Sequence, residues 1–196
     1  METQPSPTLV FEVDAAAQVA RWRPLVHWLL LVPHYFVVAM IGFVAMFVSL
    51  IVWFAVLFTK QSPPGLSGFL AMYLRYAERI NSYYFCMHEE YPPFDFQTSM
   101  QDPGDYPTRI SFRTDDEMNR WLVFVKWLLV FPHMIVLMFL SIAVWFVQFI
   151  AFFAVLFTGR WPEGMLRFFN GVRRWWLRVA WYAYLQTDAY PPFSMD

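Results

Sequence analysis

With Cys86 as its one cysteine, the 196-residue chain can form no intrachain disulfide and no cysteine-cluster metal site. Charge is equally scarce. Asp, Glu, Lys and Arg make up 15% of the residues and the formal net charge is −1, so no basic field points to nucleic acid, which is set aside as a partner. Missing too are a glycine-rich phosphate loop, a nucleophile elbow, a histidine pair on one helix face, and any carboxylate inside the long apolar runs. The chain therefore reads as a non-enzyme that implies no cofactor and no metal. Within those runs the polar side chains are Ser49, Ser141 and Gln148, too little machinery for a coupled pump. The polar start Met1–Pro5 lacks the basic region and cleavage site of a secretory signal, so the first apolar run is expected to be retained.

What the chain has in excess is apolar and aromatic surface. At 59% hydrophobic and 21% aromatic residues, a soluble domain of this length could not bury it all, and lipid is the expected cover. Two stretches, Pro24 to Thr59 and Trp127 to Thr158, each hold more than thirty residues without a charged side chain. The segment Tyr35–Phe58 alone, at about 1.5 Å per helical residue, reaches roughly 36 Å and could span a ~30 Å hydrocarbon core. The expectation is an all-α integral membrane protein that is multi-pass.

The two stretches are copies. Pro33-His34 recurs as Pro132-His133, Phe54–Thr59 as Phe153–Thr158, and Tyr91–Phe94 as Tyr190–Phe193, all at an offset of 99. One gapless offset across such unlike motifs marks a tandem duplication. The expected division is a membrane repeat at 9–97, a polar connector at 98–107 and a second membrane repeat at 108–196. Each repeat holds a long apolar transmembrane segment, an Arg/Trp-rich amphipathic helix (67–87 in the first) and a Tyr-Pro-Pro-Phe stop. Short strands at 9–13 and 108–113 occupy the polar flanks. Pro33 predicts a break between a short interfacial helix, 22–32, and the main span.

Basic residues flank both ends of both apolar stretches, which predicts an even number of crossings per repeat and cytoplasmic polar segments. Either a hairpin folds within the stretch near Gly42 and Ser141, or the arginine-bearing helix returns across the bilayer. The second route would place four arginines near mid-membrane at roughly 2.5–3.5 kcal/mol each, so those helices are expected to be amphipathic and surface-lying.

Arg75, Arg79 and Tyr83 form one stripe at i, i+4, i+8, repeated as Arg174, Arg178 and Tyr182. Such a stripe could bind lipid headgroup phosphates or another anion; the bland alternative is a snorkelling face or pairing with acids of the polar segments. His34 and His133 could in principle ligate one haem or line a proton path, but the structural role of capping carbonyls freed at the proline is preferred. The Tyr-Pro-Pro-Phe segments read as rigid helix stops that pack their aromatics on the fold.

Arg-Trp-x4-Lys-Trp-Leu-Leu-x2-Pro-His (Arg120–His133), Phe-Ala-Val-Leu-Phe-Thr-Gly-Arg-Trp-Pro-Glu-Gly (Phe153–Gly164) and Thr-Asp-x-Tyr-Pro-Pro-Phe-Ser (Thr187–Ser194) together resemble a bacterial membrane family, domain of unknown function 4389. The first copy is looser, departing at Lys60, Ser62 and Pro64. The resemblance implies a protein of the bacterial inner membrane and brings no activity and no catalytic residues. The expected function is a non-catalytic accessory or scaffold subunit whose partners are membrane lipids and other integral membrane proteins. The alternative is a lipid-binding or membrane-shaping protein whose Arg/Trp helices act on one leaflet.

Overall fold

A computed structural model describes residues 8–196; the polar start discussed above lies outside the described residues. The order is β1 (Leu9–Val13), α1 (Arg23–Leu30), α2 (Val32–Thr59), α3 (Pro64–Tyr84), β2 (Thr108–Phe112), a single 3₁₀ turn (Leu122–Phe124), α4 (Lys126–Thr158) and α5 (Glu163–Ala183). Helices α2 and α4 are long and apolar enough to cross a membrane.

Three layers stack in each half, the strand layer being supplied by the other copy. In the first, α3 packs along α2 on one side and against β2 on the other; in the second, α5 packs on α4 and β1. The outward faces of α2 and α4 expose Phe36, Met40, Phe43, Phe47 and Phe139, Phe146. Their inward faces are narrow stripes at helical spacing, Ala45, Val48, Val52 and Val56 meeting Leu70, Ala71 and Leu74. Gly42 lets Tyr73 close on α2, since a Cβ there would stand 3.1 Å from the Tyr73 hydroxyl.

The copies are tied together at the strands. β1 and β2 pair antiparallel with Phe11 opposite Ile110, its own equivalent in the other copy, so the pairing is symmetric about that pair. Trp181, fully buried, stacks on Phe112 at 4.2 Å and donates its indole N–H to the Arg113 carbonyl.

Several expectations are corrected here. α2 and α4 run unbroken, so no hairpin folds at Gly42 or Ser141; neither position carries a turn signal strong enough to interrupt a uniformly apolar helix. The predicted break at Pro33 falls one turn-edge earlier, at Leu31, and puts the proline in the first turn of α2, where its missing N–H costs nothing. Its equivalent Pro132 sits inside a continuous α4. The helix predicted over 67–87 starts at Pro64 and ends at Tyr84, well before Tyr91, so Tyr-Pro-Pro-Phe is not what stops it. Within the chain α3 is buried along most of its length, Arg75 and Arg79 included, where Asp95 and Asp102 reach them.

The copies end their long helices differently. Gly159 (φ 71°) gives α4 a left-handed C-cap at no steric cost, whereas Lys60 (φ 61°) takes the same conformation with a side chain. Lys60 is held by an ion pair to Glu117 at 2.7 Å and by Met118 N–H donating to its carbonyl.

Candidate functional site

Four features are equipped for interaction: the two arginine stripes, the two histidine stations, the ends of the long helices, and a groove between the copies.

In the first copy the arginine stripe is closed. Arg75 donates to the carbonyls of Ile110 (3.2 Å), Gln97 (3.4 Å) and Ser99 (2.7 Å) and pairs with Asp102 at 3.2 Å. Arg79, 1% exposed, pairs with Asp95 (3.1 Å), Asp102 (3.4 Å) and Asp105 (3.3 Å), with the Tyr106 ring 5.2 Å from its guanidinium. Asp102, itself 4% exposed, joins the two arginines and also accepts the backbone N–H of Ile110 and Gly104. Tyr83 does not share the stripe; its ring stacks on His27 at 3.9 Å. Apart from the buried Nε of Arg79, the donors that would take a phosphate are thus consumed within the chain. This is the pairing with acids of the polar segments that the sequence offers as the alternative to an anion site, here with the particular aspartates identified. The spacing of three aspartates 16 to 26 residues beyond Arg79 was the one signal of their role, and Gly68 was another, since a Cβ there would strike the connector carbonyl of Thr98.

In the second copy the same stripe is open. Arg174 donates to the carbonyls of Met195 (3.3 Å) and Phe11 (3.4 Å), and Arg178 to that of Ser194. Among the described residues no carboxylate forms an ion pair with either; the equivalent of Asp95 is Ser194. Burial and the neighbouring Arg174 charge lower the Arg178 pKa against the opposing pull of Asp196, as burial lowers that of the paired Arg75. Tyr182 again lies apart, under the Lys126 ammonium at 4.8 Å. Lys126 is the equivalent of His27, so an ammonium over a tyrosine in one copy replaces a stacked imidazole in the other.

The histidine stations repeat closely. His34 stacks on Phe94 at 4.1 Å and its Nδ1 shares a hydrogen bond of 2.6 Å with the Tyr76 hydroxyl; His133 stacks on Phe193 at 3.9 Å and accepts the Trp175 indole N–H at 3.1 Å. Neither histidine bonds a carbonyl there; the tyrosines do, Tyr91 donating its hydroxyl to Leu30 and Tyr190 to Leu129, each one residue after the carbonyl four before the proline that the missing N–H would have met. Tyr-Pro-Pro-Phe therefore clamps the start of the long helix, with Phe on the histidine and Tyr on the carbonyl. We expect Tyr91→Phe and Tyr190→Phe each to cost about 0.5–1.5 kcal/mol, read as a thermal shift of a few degrees in detergent. Among the described residues no group of His, Cys, Asp and Glu could hold a metal ion.

A third histidine carries pH dependence. His88 is buried, with Nε2 3.0 Å from the Ser82 hydroxyl beside Thr108, where it fastens β2 to α3. Burial pushes its pKa down to about 4 from an ordinary 6.5. The unfolded chain thus binds a proton that the folded chain refuses, so this contribution to stability is whole above pH 6.5 and is lost as pH falls toward 4. Thermal midpoints measured from pH 7 to 4.5 should fall in the wild type and fall less in His88→Gln.

Between the copies, Leu25, Trp28, Tyr84, Trp145, Phe149 and Trp161 line a groove of about 600 Å³, with Gln148 as a polar side chain from α4. Its buried neighbour Cys86 is unreactive, its thiol pushed up to about 12 by burial.

These features define a tandem-repeat, mostly helical protein with two helices long and apolar enough to cross a membrane. The family model described as Domain of unknown function (DUF4389) matches residues 21–95 and again residues 120–195, so the chain belongs to that family and carries its domain twice. No curated protein and no solved structure matches the chain.

Proposed function

We propose that the protein is a non-catalytic subunit of the bacterial inner membrane that docks an acidic segment of a larger membrane protein. The carrying observation is the contrast between the arginine stripes. One copy fills Arg75 and Arg79 with Asp95 and with Asp102 and Asp105 of the connector, which supports an acidic segment as the kind that such a stripe accepts. The other hydrogen-bonds Arg174 and Arg178 to backbone carbonyls, with Asp196 acting on Arg178 only through space, leaving room in charge for carboxylates supplied from outside the described chain. Affinity purification from native membranes in mild detergent should recover a stoichiometric protein partner. Arg174→Gln with Arg178→Gln should lose at least tenfold of it, while the histidine stations stay folded.

A second reading, lipid binding, is supported by the groove. Its aromatic walls are continuous with the exposed apolar face of α4, and its volume falls in the range of small-ligand sites. Recovery of lipid but no protein, with the lipid lost in Trp145→Ala, would favour this reading over the first.

A further inference from the structure

We infer that α2 and α4 do not cross the bilayer but lie flat in one leaflet, with the whole charged layer of the protein facing water on that side. The inference goes beyond the docking proposal and stands without it. It rests on where the charges sit relative to the long helices.

α2 and α3 are packed side by side along nearly the whole of α3. Contacts run from His34 on Tyr76, through Gly42 at Tyr73, to Val52 and Val56 in the cluster with Leu70 and Leu74. The two helices therefore share one orientation to the membrane. On its opposite side, at mid-length, α3 carries the connector and β2: Arg75 bonds Ser99 and Ile110 there. The same layer exposes carboxylates, with the side chains of Asp105, Asp14 and Glu12 at 60%, 65% and 58%. If α2 stood upright across the bilayer, α3 would stand with it. Those carboxylates would then sit near the middle of the hydrocarbon, where water cannot reach them. Laid flat, the same layers sort by polarity: the apolar faces of α2 and α4 toward the acyl chains, α3 and α5 behind them, and the sheet and connector in water.

The ends of the helices agree. Each long helix is fastened to the charged layer at both ends, whereas a crossing helix has its ends about 30 Å apart in different compartments. α2 is held at its start by Tyr91 on Leu30 and by Arg23 with Glu89, and at its finish by Lys60 with Glu117. α4 is held by Lys126 with Asp188 and by Val19 N–H on the Gly159 carbonyl. Arg21, Trp22 and Arg160 are exposed at one end of the apolar face, and Trp121 and Trp127 are exposed at the other, where α4 begins. That set of cations and indoles suits the phosphates and interface of a single anionic leaflet. A second copy of the chain or another apolar protein surface would have no use for it.

The test uses single cysteines in a Cys86→Ser background at Arg21, Gln61, Gln101 and Arg160, all exposed positions at the helix ends and connector. An impermeant maleimide is applied to sealed right-side-out and inverted membrane vesicles. A flat protein labels at all four from the same side. Labelling of Arg21→Cys and Gln61→Cys from opposite sides means that α2 crosses, and overturns the inference. A spin label at Phe36→Cys, Phe47→Cys or Phe58→Cys gives an independent reading in vesicles of anionic phospholipid. Equal immersion depths at the three positions support the flat arrangement. A shallow, deep, shallow profile, or no partitioning into the vesicles, overturns it.

Discussion

Asp102→Asn should destabilise the protein by about 3–5 kcal/mol, the range for removing one partner from a buried ion pair. The side chain is 4% exposed and serves two guanidiniums at once, Arg75 at 3.2 Å and Arg79 at 3.4 Å. Asparagine keeps the shape but has one carbonyl oxygen where Asp102 uses both, Oδ1 for Gly104 N–H and Oδ2 for Ile110 N–H, so one backbone hydrogen bond is lost along with the charge. Arg75 and Arg79 would then remain buried with only Asp95 and the largely exposed Asp105 as counter-charge. Asp105→Asn is the matched control: its carboxylate is 60% exposed, and its loss should cost no more than about 1 kcal/mol. Thermal unfolding in detergent, followed by near-ultraviolet circular dichroism from the many aromatics, separates the two. Equal, small shifts would show that the buried arginines do not depend on Asp102.

Glu78→Gln should be nearly as damaging, again about 3 kcal/mol or more, because Glu78 is 2% exposed and is clasped by both Arg173 nitrogens across the boundary between the copies. The instructive variant is the double one. In the duplicated frame the counterparts of Arg173 and Glu78 are Leu74 and Leu177, both fully buried in the central cluster. Equivalent positions on α3 and α5 thus hold an ion pair in one place and two leucines of the shared cluster in the other. Glu78→Leu combined with Arg173→Leu should recover most of the stability lost in Glu78→Gln, since well-packed apolar replacements of buried ion pairs are commonly neutral or better. If the double variant is as unstable as the single one, the pair is not interchangeable with its apolar counterpart, and the comparison of the copies fails.

Much of the architecture was legible in the sequence because duplication is a question of spacing alone. The offset of 99 located both long helices, both arginine-bearing helices and the strands at 9–13 and 108–112. Hidden from it were contacts made across that spacing. The strands were visible, but their pairing with each other was not, since a single strand carries no record of its partner. Pairing of the arginines with polar-segment acids was foreseeable, but only folding the chain back over α3 reveals that Asp95, Asp102 and Asp105 are the ones that neutralise Arg75 and Arg79. The histidines were correctly set beside the prolines, yet the hydroxyls that cap those turns come from Tyr91 and Tyr190, some sixty residues away. Local chemistry identifies the need for a donor; it does not say which remote side chain will meet it.

The strand pair centred on Phe11 and Ile110 has one more consequence. A symmetric contact between equivalent segments is what joins the subunits of a homodimer, and here the same contact is made inside one chain. The protein is in effect a fused dimer. Fusion holds the halves at a fixed, high effective concentration, so association no longer depends on expression level. It also frees each half from having to match itself. Only in a fused pair can Lys126 stand where its counterpart is His27, or Glu78 and Arg173 where theirs are leucines, and only there can one arginine stripe be sealed while its twin stays open.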